Sequence, residues 1–443
     1  MYTFSSVVFY FLDGLAEEVK KIGGARYGEI EMSLLLFADD IVLVAENAKM
    51  LQKMLEVVYK YSTKFRFRFN REKSNVMIFG KKRGEPKFYL GESELKVVHE
   101  YKYLGVVLDE NFSWKTHLTK ILDKARKRTR ALCGMGIREG VSVKAVLRGW
   151  EVLVRPILEY GAEIWGEKKW KEGENLQIEL GRRLLGVSKM TTKQVIQGEL
   201  GLGKISSRRI ILRLRFWNKI IKMKKDRLVY KIYKQRREEF IKGEKKDKKN
   251  WCYWTWKHLK DLHLEHIWEK EKFEKRTNFN NLVKKALRRK DEEEWREEME
   301  KKRKLRLYRR IKTRLVLEDY IVELDRGKRR QLTMMRGGTN YLRIERGRWI
   351  GEGEEDRVCN VCLCQEVEDE KHFLLACPMY VRESEMFARI REECELEYVE
   401  SMDEEWQLNI LIGIGWRGIE RDIREIVLEY IRKANEIRNK YTR

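Results

Sequence analysis

The stretch 33–44, SLLLFADDIVLV, decides how the first part of this chain folds. Two apolar runs flank the acidic pair Asp39 and Asp40, which is the pattern of a β-hairpin closed by a tight turn. Because the flanks supply no cation, the two negative charges repel each other unless a metal ion lies there. Oxygen-only ligands suit Mg²⁺, and two-metal phosphoryl transfer uses such carboxylates. The alternative is a solvated turn, which Asp-Asp also forms.

The sequence around this hairpin predicts a compact α+β unit that extends to about residue 109. Residues 1–22 have the pattern of a helix, and Asn47 can cap a second one. The apolar face of that second helix is expected at Leu51, Met54, Leu55, Val58 and Tyr61. Short strands are predicted over 76–79, 87–90, 95–98 and 103–108. From Ser113 onward the pattern changes to helices, over 114–132, 143–154 and 176–185.

The composition indicates a polyanionic partner. The 443 residues include 96 Lys plus Arg against 71 Asp plus Glu, which gives a net charge of +25. Such an excess favours nucleic acid, because cations that neutralise phosphates release condensed counterions. A charge-rich solvated surface is the alternative. We expect RNA and DNA as partners; the oligomeric state does not follow from the sequence.

Most of the excess charge lies in one segment, 204–314, which has 40 Lys plus Arg and 17 Asp plus Glu, a difference of +23. We expect this helical segment to grip nucleic acid, with Lys301, Lys302, Arg303 and Arg306 as the contacting cluster. Its six tryptophans could stack on bases, but such spacing also fits helix core; they are Trp217, Trp251, Trp254, Trp256, Trp268 and Trp295. The highly charged run 291–304 is predicted to be a solvated helix or a partly flexible linker.

Four of the seven cysteines cluster near the end of the chain. Cys359, Cys362, His372 and Cys377 have the ligand types and the two short pairs of a tetrahedral Zn²⁺ site. Thiolates with an imidazole favour zinc over Mg²⁺ or Ca²⁺. Cys364 could replace Cys362, although Cys-x-x-Cys is the usual arrangement. Four unrelated intracellular residues would be the alternative.

Other classes of protein are excluded by what the sequence lacks. Seven cysteines in a chain of this size do not suggest a disulfide-dense secreted protein. No apolar run reaches the 18 or so residues of a membrane span, and the first residues do not have the pattern of a signal peptide. We therefore expect an intracellular protein, nuclear or cytoplasmic, without a membrane partner.

The motifs resemble those of one family, and they follow one another in that family's order. Residues 36–43, LFADDIVL, resemble the Phe-Ala-Asp-Asp box of reverse transcriptases from non-LTR retrotransposons. Residues 69–79 resemble the next palm motif, and 101–106, YKYLGV, resemble the primer-grip hairpin. Residues 155–161, RPILEYG, resemble a segment that these elements carry downstream. The Cys/His cluster is similar to their C-terminal zinc module.

The resemblance implies roles for particular residues. Asp39 would be a Mg²⁺ ligand, with Asp40 beside it in the same acidic pair. Lys73 would be the motif lysine that helps pyrophosphate leave, because a cation offsets developing negative charge; a plain surface lysine is the alternative. Tyr103, Leu104 and Gly105 would hold the primer end against the palm, which is a positioning role.

The sequence also departs from the family's pattern. The family needs another metal-binding Asp on an earlier palm strand, and nothing before residue 33 supplies that strand. Residues 4–9 resemble the worn end of an upstream segment, without its proline. We therefore expect a C-terminal part of a reverse transcriptase, cut off upstream and unable to polymerise by itself. The alternative is a nucleic-acid-binding relic or co-opted fragment without polymerase activity.

The predicted domains follow from these assignments. They are a partial polymerase palm (1–110), a helical thumb or connection (111–200), a basic Trp-rich helical region (201–350), a Cys/His zinc module (351–382) and C-terminal helices (383–443). The predicted fold class is α+β, with a small antiparallel sheet followed by an all-helical part.

Overall fold

The computed structural model of the chain describes residues 4–80, 84, 86–138, 140–167, 170–243, 247–271, 276–380, 389, 403–414 and 421–441. The fold combines small sheets in the first quarter of the chain with helices through the rest. This confirms the predicted α+β class. The assignment of palm and thumb remains a prediction.

The chain forms two compact units that are interleaved in sequence. The first unit comprises Met1–Asp123, Tyr160–Lys168 and Ile210–Phe279. The second comprises Lys124–Glu159, Lys169–Arg209 and Asn280–Arg443.

All the described strands belong to the first unit. They are Ala25–Tyr27 (β1), Ile30–Met32 (β2), Leu34–Phe37 (β3), Asp40–Leu43 (β4), Asn75–Val76 (β5), Phe88–Leu90 (β6), Ser93–Val97 (β7), Glu100–Tyr103 (β8) and Val106–Asp109 (β9). Three antiparallel hairpins, β1–β2, β3–β4 and β8–β9, accompany a three-stranded sheet in the order β5-β7-β6. In that sheet β5 runs parallel to β7, and β6 runs antiparallel to it.

The described helices are Phe4–Lys20 (α1), Ala48–Lys64 (α2), Lys115–Arg138 (α3), Val143–Gly149 (α4), Arg155–Glu159 (α5), Ala162–Trp165 (α6), Lys171–Leu185 (α7), Lys193–Leu200 (α8), Ile205–Ile220 (α9), Leu228–Lys242 (α10), Trp251–Lys260 (α11), Glu265–Lys270 (α12), Arg276–Glu300 (α13), Arg306–Ile311 (α14), Asp319–Glu323 (α15), Arg326–Arg336 (α16), Arg343–Trp349 (α17), Glu404–Leu411 (α18) and Arg421–Tyr441 (α19). Two π-helical turns occur at Trp150–Val154 and His372–Ala376. Among the described residues, no helix is both long and apolar enough to cross a lipid bilayer.

The acidic hairpin has the predicted pairing. Leu34 pairs with Leu43 and Leu36 with Ile41, in an antiparallel register that closes at Phe37 and Asp40. The helix that follows begins where it was predicted, because the Asn47 side chain accepts a hydrogen bond from the Met50 amide. Both predictions are confirmed.

The core of the first unit forms between these elements. Leu12, Leu15 and Val19 from α1 pack with the buried face of α2 and with residues of the small sheet. Side chains of the acidic hairpin, among them Leu36 and Ile41, pack at the edge of this core. The apolar flanks thus anchor the hairpin and leave its acidic tip at the surface.

The prediction of a single strand over 103–108 was wrong. The chain turns back at Leu104 and Gly105, so that Tyr103 pairs with Val106 and Glu100 with Asp109. Both turn residues have positive φ, 46° and 85°. Two such residues form the turn that matches the twist of hairpin strands, and this local geometry interrupts an otherwise strand-like pattern.

The charged run 291–304 is neither a linker nor a fully solvated helix, which corrects the prediction. It lies partly in α13, where Leu287, Asp291, Trp295 and Met299 recur every fourth residue and are all buried. Ser207 donates a 2.7 Å hydrogen bond to the Asp291 carboxylate. The composition of the run is dominated by charged residues, so it does not indicate a buried face. Side chains four residues apart nevertheless lie on the same side of a helix, and here that side is buried.

A buried ionic network stabilises the second unit. Arg336 donates to the carboxylates of Glu199 and Glu318, at 3.0 Å in each case. Tyr320 donates a 2.7 Å hydrogen bond to the other oxygen of Glu199. Because the side chains of Arg336 and Glu199 are excluded from water, removal of either one would leave the other as an uncompensated charge.

Candidate active-site turn and metal centre

The acidic pair lies at the tip of the β3–β4 hairpin. Phe37 and Asp40 close the hairpin, and Ala38 and Asp39 form its two-residue turn. Ala38 has a φ of 51°, in the left-handed region that a residue with a side chain rarely adopts. Asp39 and Asp40 are both exposed. The turn therefore presents two carboxylates to solvent on a backbone that the apolar strands hold in place.

A metal site of oxygen ligands is incomplete at this turn. Within the described part of the chain, a single group of three or more His, Cys, Asp or Glu side chains converges closely enough to hold an ion, and it is the Cys/His cluster. Among the residues that the structure describes, Asp39 and Asp40 are thus brought together without a third carboxylate. Mg²⁺ keeps several waters and is commonly bound through one or two carboxylates plus substrate phosphates.

The β8–β9 hairpin carries the three residues expected to position a primer. Leu104 and Gly105 form its turn, and the Tyr160 side chain donates a 2.7 Å hydrogen bond to the Leu104 carbonyl oxygen. The pKa of Tyr103 is raised, first by burial and then by the negative charge of Asp40. Tyr103 thus lies within electrostatic reach of the acidic turn.

Lys73 is the last residue of a turn that precedes β5. Its amide donates a 3.2 Å hydrogen bond to the Asn70 side chain, and its carbonyl oxygen accepts one of 2.9 Å from Tyr101. Tyr101 belongs to β8, so the Lys73 turn is tied to the same hairpin as Tyr103. The Lys73 side chain is exposed.

His117 is a buried residue with a structural role. Its Nδ1 atom accepts a 3.2 Å hydrogen bond from the Val107 amide of β9. Burial lowers the pKa of His117, so the ring is held neutral, as an acceptor nitrogen requires. His117 therefore stabilises the β8–β9 hairpin through this hydrogen bond, and we assign it no role as a metal ligand.

The Cys/His cluster is assembled in the second unit. The ligand atoms of Cys359, Cys362, His372 and Cys377 all lie within 4.8 Å of one another, and all four residues are buried. Cys364, the alternative ligand, is exposed. The π-helical turn at His372–Ala376 brings the imidazole and Cys377 to the cysteine pair. Three thiols and an imidazole at this separation are compatible with tetrahedral coordination of zinc.

The surroundings of the cluster favour a thiolate. Burial alone would raise the pKa of Cys359, but hydrogen bonds from His372 and from the amides of Val361 and Cys362 lower it to about 7. The thiolate is the form of cysteine that binds metals. This cluster could therefore hold a zinc ion near neutral pH.

Glu366 was not predicted from the sequence as part of this site. Its carboxylate lies 2.8 Å from Nδ1 of His372, while Nε2 lies 3.4 Å from the sulfur of Cys362. A metal-binding histidine commonly donates its other ring N–H to a carboxylate, which fixes the tautomer and orients the ring. The sequence signal that could have indicated this role is the position of Glu366 between the cysteine pair and the histidine.

Ion pairs fasten the metal module to its unit. Arg438 of α19 makes two hydrogen bonds, of 2.6 and 2.9 Å, to the buried carboxylate of Glu368. Arg306 of α14 donates a 2.5 Å hydrogen bond to Glu370. Two helices distant in sequence thus hold the segment that leads into His372.

The basic cluster expected to grip nucleic acid divides into two kinds of side chain. Arg306 pairs with Glu370, and Lys302 donates a 2.9 Å hydrogen bond to Gln194 while burial lowers its pKa. Lys301 and Arg303 are exposed. The latter two are therefore the members of the cluster that the structure presents to solvent.

The tryptophans divide in the same way. Trp217, Trp268 and Trp295 are almost completely buried. Trp217 and Trp268 stack with their ring centres 5.6 Å apart. Trp251, Trp254 and Trp256 are partly buried. The three buried rings serve as core, which was the alternative to base stacking.

Comparison with known proteins supports the resemblance to reverse transcriptases that the motifs indicate. Residues 2–108 match the family model described as reverse transcriptase (RNA-dependent DNA polymerase). The chain is 26% identical over 191 residues to the RNA-directed DNA polymerase from mobile element jockey of Drosophila funebris, an alignment that covers 41% of this chain and 21% of that protein. It is 24% identical over 183 residues to the probable RNA-directed DNA polymerase from transposon X-element of Drosophila melanogaster, covering 39% and 20%.

These relatives are much longer than the aligned region, and the chain spans about a fifth of their length. The matched family segment contains the acidic turn, Lys73 and most of the β8–β9 hairpin. The resemblance inferred from the motifs is confirmed: residues 2–108 match the reverse transcriptase family model, and the aligned parts of the chain are similar to the RNA-directed DNA polymerases of the jockey mobile element and the X-element transposon.

Proposed function

We propose that the chain is part of an RNA-directed DNA polymerase of a non-LTR retrotransposon and contributes one wall of its active site. The observation that carries the proposal is the exposed Asp39-Asp40 turn with Tyr103 within reach of its charge, inside the segment that matches reverse transcriptases. In this proposal residues 1–110 are a partial palm and 111–200 a thumb or connection.

The proposed roles follow from charge and position. Asp39 and Asp40 hold Mg²⁺, which would supply the positive charge that stabilises attacking and leaving oxygens. Lys73 offsets negative charge on the departing pyrophosphate. Tyr103, with the Leu104–Gly105 turn, positions the primer end. A further carboxylate must come from outside the described residues, since none of these completes the site.

The Cys/His cluster has a structural role in this proposal. Cys359, Cys362, His372 and Cys377 hold Zn²⁺, with Glu366 orienting the histidine. RNA and DNA are the proposed partners, and Lys301 and Arg303 contribute contacts to phosphates.

A second candidate function is nucleic-acid binding without polymerase activity. The missing third carboxylate among the described residues favours it. On this view the chain binds RNA or DNA through its basic residues, and the acidic turn has no catalytic use.

A chimaera separates the two candidates. Residues 1–110 would replace the matching segment of the jockey polymerase from Drosophila funebris, and primer extension on an RNA template would be measured with Mg²⁺. The polymerase proposal expects extension that Asp39→Asn abolishes and that Asp13→Asn, on the exposed surface of α1, leaves intact. An inactive but folded chimaera, or one indifferent to Asp39→Asn, would favour the binding function. The isolated chain is expected to give no extension, because its described carboxylates do not complete a site.

A further inference from the structure

Two phenylalanines in the first unit stack on each other at the surface. Phe79 follows β5 and Phe112 follows β9, and their ring centres are 4.8 Å apart with 22° between the ring planes. Phe79 is 44% exposed and Phe112 is 74% exposed. With Phe79 against one face, so large an exposure leaves the other face of Phe112 open to solvent.

The backbone that presents Phe112 is strained. Phe112 has a φ of 56°, a conformation that favours glycine and that a bulky residue adopts rarely. Asp109 holds it there: its carbonyl oxygen accepts a 2.9 Å hydrogen bond from the Phe112 amide, and its carboxylate accepts one of 2.8 Å from the Asn111 amide. Strained backbone conformations that hydrogen bonds hold in place are concentrated at functional sites, so the exposed Phe112 ring is a candidate for a function.

The apolar patch formed by the Phe79 and Phe112 rings is small, and this limits the size of the group that can bind to it. Asn111, Ser113 and Gly80, which flank the two rings in sequence, are polar or small and are exposed. Two rings are far smaller than the surface buried by a stable protein–protein interface. They match one planar, aromatic group.

Exposed cations in one segment of the same unit favour a polyanion as partner. Arg66, Arg68, Arg71 and Lys73, in the segment that leads to β5, are exposed, and none forms an ion pair with a described residue. Phe67 and Phe69 alternate with these arginines and pack on the core instead. The segment therefore turns its aromatic side chains inward and its cations outward.

We propose that an unpaired nucleobase of a single-stranded RNA or DNA stacks on the open face of Phe112, extending the Phe79–Phe112 pair. The proposal rests on the proposed function, which supplies nucleic acid as the partner. Stacking on an aromatic ring tolerates any base, since every base has a π face. The site would therefore hold a single strand without reading its sequence.

The test uses the full chain and a single-stranded oligonucleotide that carries 2-aminopurine, whose fluorescence falls when it stacks. Phe112→Ala is expected to weaken binding by about tenfold or more, the range found for removing one stacking ring. Phe112→Trp should restore it. The slope of log affinity against log salt should stay unchanged, because the ring contacts no phosphate. Tyr89→Ala, which removes another exposed ring of the same unit, is the matched control.

A second variant distinguishes loss of the ring from misfolding of the protein. Phe112→Gly removes the ring and also relieves the backbone strain, so it should be at least as stable as wild type and still bind weakly. Wild-type affinity in both Phe112→Ala and Phe112→Gly would overturn the stacking proposal alone. Failure of the wild-type chain to bind any single strand would overturn the proposed function with it. Self-association in sedimentation that disappears in Phe112→Gly would identify a second copy of the chain as the occupant and would also overturn the proposal.

Discussion

The phenol oxygen of Tyr160 donates a 2.7 Å hydrogen bond to the carbonyl oxygen of Leu104, at the tip of the β8–β9 hairpin. Gly105 lies against the same ring, because a Cβ atom there would come within 2.9 Å of Tyr160 Cε1. Two segments that resemble separate reverse transcriptase motifs are thus joined in the first unit. The turn and the tyrosine stabilise each other.

Removal of this hydrogen bond should loosen the hairpin. Tyr160→Phe keeps the ring but loses the donor, and a typical hydrogen bond contributes about 1 kcal/mol. Hydrogen exchange of the amides in residues 100–109 should become a few times faster. Gly105→Ala should have a larger effect, because it adds a clash and places alanine at a φ of 85°. Unchanged exchange in both variants would contradict the proposed support.

The Cys/His cluster should bind one zinc ion per chain. Metal analysis of protein prepared without chelator should find about one zinc, and Cys359→Ser with Cys362→Ser should lose it. Because metal binding is coupled to the folding of such a module, a chelator should make residues 355–380 sensitive to protease and leave the first unit resistant. Cys364→Ser is the matched control, since that thiol is exposed. Equal loss of zinc in the control would contradict the assigned ligand set.

The exposed basic residues after α13 should contribute to nucleic-acid binding through phosphates. Reversing Lys301 and Arg303 to Glu should lower the slope of log affinity against log salt, by roughly 0.7 to 0.9 for each phosphate that is no longer neutralised. Binding isotherms at several salt concentrations give this slope. An unchanged slope would mean that these two cations only keep the helix soluble.

Arg306→Glu should behave differently from that pair. Its partner Glu370 is buried, so the substitution places two carboxylates side by side and should destabilise the metal module. Thermal melting and zinc content distinguish the two variants, because exposed charges contribute little to folding. The comparison separates a structural arginine from a phosphate contact.

Asp291 should make the stability of the second unit depend on pH. Burial raises the pKa of this carboxyl from 3.8 to about 6. The folded protein holds the proton of this carboxyl more tightly than the unfolded chain does. The contribution of the protonated group to the free energy of unfolding is therefore fully present below about pH 4 and is lost as the pH rises through about 6. The pKa shift corresponds to a contribution of about 3 kcal/mol.

The measurement compares urea unfolding of wild type and Asp291→Asn between pH 4 and 7. The free energy of unfolding of the variant relative to wild type should rise with pH, since asparagine does not ionise. Glu297→Gln, at an exposed position of the same helix, should give a nearly flat difference. A flat difference for Asp291→Asn would mean that water or Lys204 already compensates the buried charge.

Local features of the fold could be predicted from the sequence. The hairpin at 33–44 follows from alternating apolar runs around a turn, and the start of α2 follows from the Asn47 cap. These signals work because the residues that interact lie within a few positions of each other. The Cys/His cluster could be recognised for the same reason, since its spacing is short and its ligand chemistry is specific.

Features that depend on distant residues could not be predicted. The sequence does not indicate that Arg306 pairs with Glu370, 64 residues away, so it was expected to be free for phosphate. The buried face of α13 was hidden by the charges around it. The third carboxylate of the acidic site cannot be found at all among the described residues, because no local pattern there supplies it.

The interleaving of the two units has a consequence for protein synthesis. The first unit is completed by the stretch that ends at Phe279, and Trp251 of that stretch donates a 2.8 Å hydrogen bond to the Glu163 carbonyl oxygen. Chains leave the ribosome N-terminus first. The acidic hairpin is therefore made long before the helices that complete its unit. A nascent chain that pauses between residues 123 and 279 is expected to expose apolar surface that the later helices would cover, and such surface is prone to aggregation.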